Sequence, residues 1–231
     1  MSAPVDVTPV DAIYRAGVAG MSCWSRNHRG LVRELPMSRW LGASDVAAHD
    51  RLADELVMNE CSAATTLDVG CGPGRFTAAL QHRGSSALGV DASAVAVALT
   101  RQRGGTAMRR DLFGSLPAQG FWDRVLLADG NIGIGGDPVR TLRRAAELLA
   151  PGGRVIVEID HLTTGMESIS HEVVRWESHH AEGPWFRWAR LGAVALGGVA
   201  TAAGLEVHKV IDVSPHVIAV LQHPARNRIN T

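Results

Sequence analysis

The chain has 231 residues, 46% apolar and 20% charged, the balance of a globular protein with room for one large α/β domain or two small ones. Its 23 basic and 23 acidic side chains cancel, so no net field draws it to nucleic acid or an anionic membrane, and nucleic acid is disfavoured as a substrate. Cys23, Cys61 and Cys71 form no C-x-x-C pair, the N-terminus is unlike a secretory leader, and the longest apolar run, 191–205, is too short to span a membrane; together these point to the cytoplasm.

In chain order, SDVAAHDRLADELVM at 44–58 opens on a serine cap and reads as a helix. TTLDV, 65–69, reads as a buried strand and RFTAALQHRG as a helix stopped by Gly84. SALGVD makes a second strand, a helix capped by Ser93 follows, and TAMRRD makes a short third strand. FWDRVLLAD is a fourth strand, apolar enough to be covered on both faces. Asp137 caps a helix with Pro138 at its first position, ending at the PGG of 151–153, and RVIVEID is the fifth strand. This alternation predicts a parallel sheet with helices on both faces. Beyond Asp160, MESISHEVVRWES suggests an inserted strand or hairpin, and 187–204 a glycine-weakened helix. LEVHKVIDV and HVIAVLQH read as a closing antiparallel pair.

The first strand runs into Gly70, Gly72 and Gly74 just before a helix. Glycines there permit tight turning and let a ligand lie against backbone amides, at the place where open α/β sheets bind ligands. The spacing is G-x-G-x-G, with Arg75 where a dinucleotide fingerprint would place its third glycine. Asp91, ending the second strand 21 residues after Gly70, suits a ribose diol in either a dinucleotide or another nucleoside cofactor. No Gly-Lys-Ser/Thr follows, which excludes a P-loop.

LDVGCGPGRF resembles the first signature of the class I S-adenosylmethionine-dependent methyltransferases, and the resemblance continues in order. GVDAS ends the second strand with an acid, RRDLFGSLP places Asp111 after the third, VLLADGNIG ends the fourth, and LLAPGGRVIVEID enters the fifth. It covers about residues 62–160 and the closing hairpin. It implies a doubly wound, Rossmann-like, mostly parallel seven-stranded sheet with an antiparallel closing hairpin. In domain terms, residues 1–60 would be a helical extension or lid over the active site and 61–231 the cofactor-binding domain.

The same resemblance assigns cofactor roles. Gly70, Gly72 and Gly74 would admit the methionine and ribose parts, and Asp68 would orient the amino end. Asp91 would accept the ribose hydroxyls, with Ala92 against adenine. Asp111 would accept from the adenine amine beside Leu112, and Ala128 and Asp129 would approach the methionine. For Asp111 the neighbouring Arg109 and Arg110 offer an ion pair as an alternative.

Methyl transfer needs an aligned acceptor, and for a hydroxyl acceptor also a general base. Candidates beyond the fourth and fifth strands are Asn131 and His161. Tyr14, Trp24 and Trp40 in the extension, and Trp185 with Trp176, Phe186 and Trp188 after the fifth strand, suit a cavity for a small, partly apolar or aromatic methyl acceptor. No metal is expected, since His171, His179 and His180 lack a ligand spacing. The reading is a small-molecule O- or N-methyltransferase, compatible with a homodimer. Its rivals are a protein or RNA methyltransferase and a non-catalytic binding subunit of the same fold.

Overall fold

A computed structural model of the chain describes residues 9–161 and 169–225. Its elements run α1 (Pro9–Val18), β1 (Cys23–Asn27), β2 (Val32–Glu34), α2 (Met37–Trp40), α3 (Ala48–Glu60), β3 (Thr66–Val69), α4 (Arg75–His82), β4 (Ala87–Asp91), α5 (Ala94–Gln102) and β5 (Ala107–Arg109). There follow β6 (Trp122–Leu127), α6 (Pro138–Leu148), β7 (Leu149–Asp160), β8 (Ile169–Ser178), β9 (Ala181–Glu182), β10 (Phe186–Leu191), α7 (Ala193–Ala202), β11 (Glu206–Val213) and β12 (His216–Gln222).

The main sheet has seven strands in the order β11-β12-β7-β6-β3-β4-β5. The five from β7 to β5 are parallel, and β12 and β11 close the edge antiparallel. Both faces are covered, as the period-2 alternation of β12 shows. Val217, Ala219 and Leu221 enter the core shared with α6 and α7, while Ile218 and Val220 enter the one shared with α3 and α4. Ser93 caps α5 by accepting from the Ala96 amide at 3.0 Å, and Asp137 caps α6 from the Arg140 amide at 3.0 Å. α3 starts later than expected, after Ala47, with no side-chain cap from Ser44.

A second sheet, β10-β8-β1-β2 with β9 on β8, stands beyond the carboxyl ends of the parallel strands. It joins the N-terminal extension to the segment after β7 through antiparallel pairing of β1 with β8. The extension, expected to be helical, thus contributes two strands. The helix expected over 187–204 is confined to Ala193–Ala202, because 186–191 pairs with β8 over six residues. Contacts of Ile134 with Trp188 and of Asp160 with Gly192 tie this sheet to the main one.

Candidate active site

β3 lies between β4 and β6, so the loop leaving it stands where the winding of the sheet reverses. Gly70, Gly72 and Gly74 all take left-handed φ values, +69°, +52° and +84°, which side chains resist. Protein atoms add a second constraint. A Cβ on Gly70 would stand 2.7 Å from the Asn131 amide, and one on Gly74 2.6 Å from the Thr100 methyl. Only at Gly72 would it face the cleft, 3.3 Å from the Tyr14 hydroxyl of α1.

Asp91 ends β4 beneath α1. Its carboxylate accepts the Gly72 amide at 2.9 Å and the Ser93 amide at 2.8 Å, and burial pushes its pKa up to about 6. Asp11 of α1 holds the same corner by accepting from the Val95 amide at 3.1 Å and the Ser93 hydroxyl. Ala92 is exposed, and its carbonyl accepts from Arg109. Asp111 is exposed and closes its own turn by accepting the Phe113 amide; no ion pair joins it to Arg109 or Arg110 among the described residues. Leu112 is a member of the main core.

A cavity of about 550 Å³ runs from the glycine loop to the second sheet. Asp68, Gly70, Gly72, Ala128 and Asp129 line its near end; Asp91, Ala92, Asp111 and Leu112 do not reach it. Asp68 is 2% exposed and accepts from the Thr77 hydroxyl at 2.7 Å, and no cationic side chain pairs with it among the described residues. Burial lifts its pKa to about 6.

Strand alternation decides which aromatics reach the far end. Trp24 stands opposite Glu177, and Ser25 opposite Trp176, so Trp24 and Trp176 project from opposite faces. Trp176, Trp188, Tyr14 and Trp40 line the cavity, with Trp176 5.5 Å from Trp40 and 6.0 Å from Tyr14 between ring centroids. Trp24 instead donates to Glu177 on the outer face, and Trp185 is 46% exposed under the Arg175 guanidinium. Neither Trp24 nor Trp185 lines the cavity.

The floor is a buried charge network. Arg75 donates to both oxygens of Asp129, at 2.7 and 2.6 Å, and to Asp54. Arg39 of α2 donates to Asp54 at 2.7 Å and lies 3.5 Å from Glu158 and from Asp129. His216 bridges Glu158 and Asp50 at 2.7 and 2.8 Å. Burial opposes the charge on Glu158, but His216 and the two guanidiniums outweigh it and hold its pKa down at about 2. Arg33 with Glu172, and Arg190 with Asp160, pair on the opposite wall.

Asn131 spends its amide on the glycine loop, donating to the Val69 and Gly70 carbonyls at 2.9 and 3.0 Å. It also lines the cavity. His161 lines the cavity and lies 3.4 Å from Asp212.

Residues 66–153 match a family model described as a methyltransferase domain. That segment is similar to a methyltransferase domain. Solved structures share its Rossmann-like fold at low identity. A SAM-dependent methyltransferase from Bacteroides fragilis, crystallised with S-adenosyl-L-homocysteine, aligns at TM-score 0.77 and 20% identity over 96% of this chain and 98% of that one. The 1,6-didemethyltoxoflavin N1-methyltransferase of Burkholderia thailandensis aligns at 0.56 and 16% over 96% and 93%. A sugar N-methyltransferase from Streptoalloteichus aligns at 0.57 and 18% over 82% and 93%. No curated protein matches the sequence.

Around this segment the structure assembles residues that the sequence reading did not single out: Arg39, Glu158 and His216. Glu158 had a signal in the sequence, an acid inside the apolar run RVIVEID. Arg39 and His216 had none, since Glu158 lies 119 positions from Arg39 and Asp50 166 positions from His216, and only folding brings them together.

Proposed function

We propose that the protein is an S-adenosylmethionine-dependent methyltransferase acting on an oxygen or nitrogen of a small, partly apolar or aromatic molecule. One observation carries this reading: a single cavity joins the glycine loop to a wall of Trp40, Trp176, Trp188 and Tyr14. The residues fit the cofactor. Asp68 is a buried carboxylate without a cationic partner among the described residues, suited to the methionine ammonium, and Gly72 leaves open the gap below Tyr14 that a Cβ would enter. Asp91 stands outside the cavity, behind Gly72, which lines it; oriented by two backbone amides, it keeps acceptor capacity for ribose hydroxyls.

When bound, S-adenosylmethionine supplies a methyl carbon made electrophilic by its sulfonium. The chain's work is then to hold the acceptor in line and exclude water. Trp176 and Trp40 offer ring faces and edges to an apolar acceptor. His161, the half-exposed imidazole on the cavity, is our candidate proton acceptor for a hydroxyl substrate. We read α1, α2 and the second sheet as the lid. Proteins of the same fold include a 1,6-didemethyltoxoflavin N1-methyltransferase and a sugar N-methyltransferase, which supports a small acceptor. Among the described residues no helix is long and apolar enough to cross a membrane.

The test is calorimetric titration with S-adenosylhomocysteine, followed by methyl-labelled S-adenosylmethionine with a panel of small amines and phenols. We expect one binding site per chain and label transfer to a panel member. Absence of cofactor binding would overturn the reading, and binding without transfer to any small acceptor would favour the non-catalytic subunit.

A further inference from the structure

Behind the cavity wall, three side chains from distant segments converge at the start of α3. His49 and Asp50 are its second and third residues, and His216 opens β12. Their donor atoms all lie within 4.8 Å of one another. Nε2 of His216 is 2.8 Å from Oδ1 of Asp50, and Nε2 of His49 is 3.9 Å from the same oxygen. We propose that His49, Asp50 and His216 bind one divalent transition-metal ion of the zinc class, which clasps α3 to β12.

The donor set comes first. Two imidazoles and one carboxylate suit Zn²⁺ or Co²⁺ rather than the all-oxygen cages of Mg²⁺ and Ca²⁺. An ion at ~2.1 Å from each donor needs the His216–Asp50 contact, now 2.8 Å, to open by roughly half an ångström and His49 to turn inward; His49 sits at the surface with 47% exposure and is free to turn. The two imidazoles are 5.8 Å apart between centroids, with their planes tilted by 35°.

A second observation is independent of the cluster. Nδ1 of His216 lies 2.7 Å from Oε1 of Glu158. Glu158 is in turn fixed, its other oxygen accepting the Asp129 amide at 2.9 Å. A carboxylate behind the remote nitrogen of an imidazole is how metal-binding histidines are oriented: it keeps the proton on Nδ1 and aims the Nε2 lone pair at the ion. Nε2 here points at Asp50, where the ion would sit.

The surrounding charges permit a cation. Arg39 and Arg75 are the positive groups nearby, Arg39 Nε lying 3.6 Å from Asp50, but their short contacts are to Asp54 and Asp129, and Asp50, Asp54, Asp129 and Glu158 outnumber them. Water would complete the coordination from the exposed side. The ion is a clasp and takes no part in methyl transfer: it would hold α3 and its partner Arg39 against the wall that Glu158 and His216 give to the cavity. The inference does not depend on the cofactor reading.

The experiment uses the untagged full chain, stripped with chelator. Zn²⁺ is titrated by calorimetry and Co²⁺ is followed by its visible d–d absorption. We expect one equivalent of Zn²⁺, a tetrahedral Co²⁺ spectrum, and a Zn²⁺-dependent rise in melting temperature. His49→Ala should weaken Zn²⁺ binding at least tenfold and abolish the thermal effect. His208→Ala, at an exposed histidine on β11, should change neither. No uptake at micromolar Zn²⁺, or equal affinity in the wild type and His49→Ala, would overturn the site and leave His216 as a bridge between two carboxylates.

Discussion

Arg75 stands where a dinucleotide loop would carry a glycine, and the structure makes it the link between the loop and the cavity floor. Its side chain is 10% exposed, it is stacked 4.1 Å over Phe76, and it serves Asp129 and Asp54 together. Both carboxylates hold it charged more firmly than an ordinary arginine, against the opposing effect of burial. Arg75→Met keeps the stem packed but leaves those acids with Arg39 alone. Removing one partner from a buried charge set costs about 3–5 kcal/mol. At roughly 2–4 °C per kcal/mol for a chain of this size, the melting temperature should fall by about 6–20 °C. Calorimetric melting at pH 7 measures this. Adding Asp129→Asn should restore part of the loss, since one stranded charge disappears, and the double-mutant cycle should show coupling above about 1 kcal/mol. A shift below about 2 °C, or strictly additive effects, would refute the claim that these groups form one buried unit.

Three further outcomes are expected. Asp91→Ala should weaken S-adenosylhomocysteine binding tenfold or more in calorimetry, because the carboxylate that also orients the Gly72 amide is lost; unchanged affinity would remove the ribose assignment. Asp68 has its pKa raised to about 6 by burial. Its ionised form therefore penalises the fold, a cost absent below about pH 4, growing as pH rises towards 6 and constant above. Cofactor-free Asp68→Asn should accordingly be more stable than wild type by about 1–3 kcal/mol at pH 7.5, the gap closing near pH 4; a gap independent of pH would contradict this. Trp176→Ala should raise the acceptor KM severalfold while leaving S-adenosylhomocysteine affinity within about twofold, since its ring borders the acceptor end of the cavity; loss of cofactor affinity instead would move Trp176 out of the acceptor pocket.

The central sheet was legible because strands buried on both faces and helices of period 3.6 leave different marks, and the positive φ of Gly70, Gly72 and Gly74 left its mark as glycine itself. The second sheet was not. Ser25 pairs with Trp176 across the whole core domain, and nothing local in either strand announces its partner. Apolar residues of α7 hid the strand before it, so Trp188 was read into a helix. Counting aromatics placed tryptophans near the cavity, but only strand register separates Trp176, which faces in, from Trp24, which faces out. Asn131 illustrates a related limit: residue type suggested a role at the acceptor, but only the folded loop shows its Nδ2 bound to the Val69 and Gly70 carbonyls. Arg39, Glu158 and His216 act through partners brought close only by folding.

The most direct measurement is a crystal structure of the protein with S-adenosylhomocysteine. The account expects the amino group at Asp68, the ribose at Asp91, and the sulfur opening into the space bounded by Trp40, Trp176 and Trp188. A nucleoside bound elsewhere, or a sulfur facing solvent with that space sealed from it, would contradict the account.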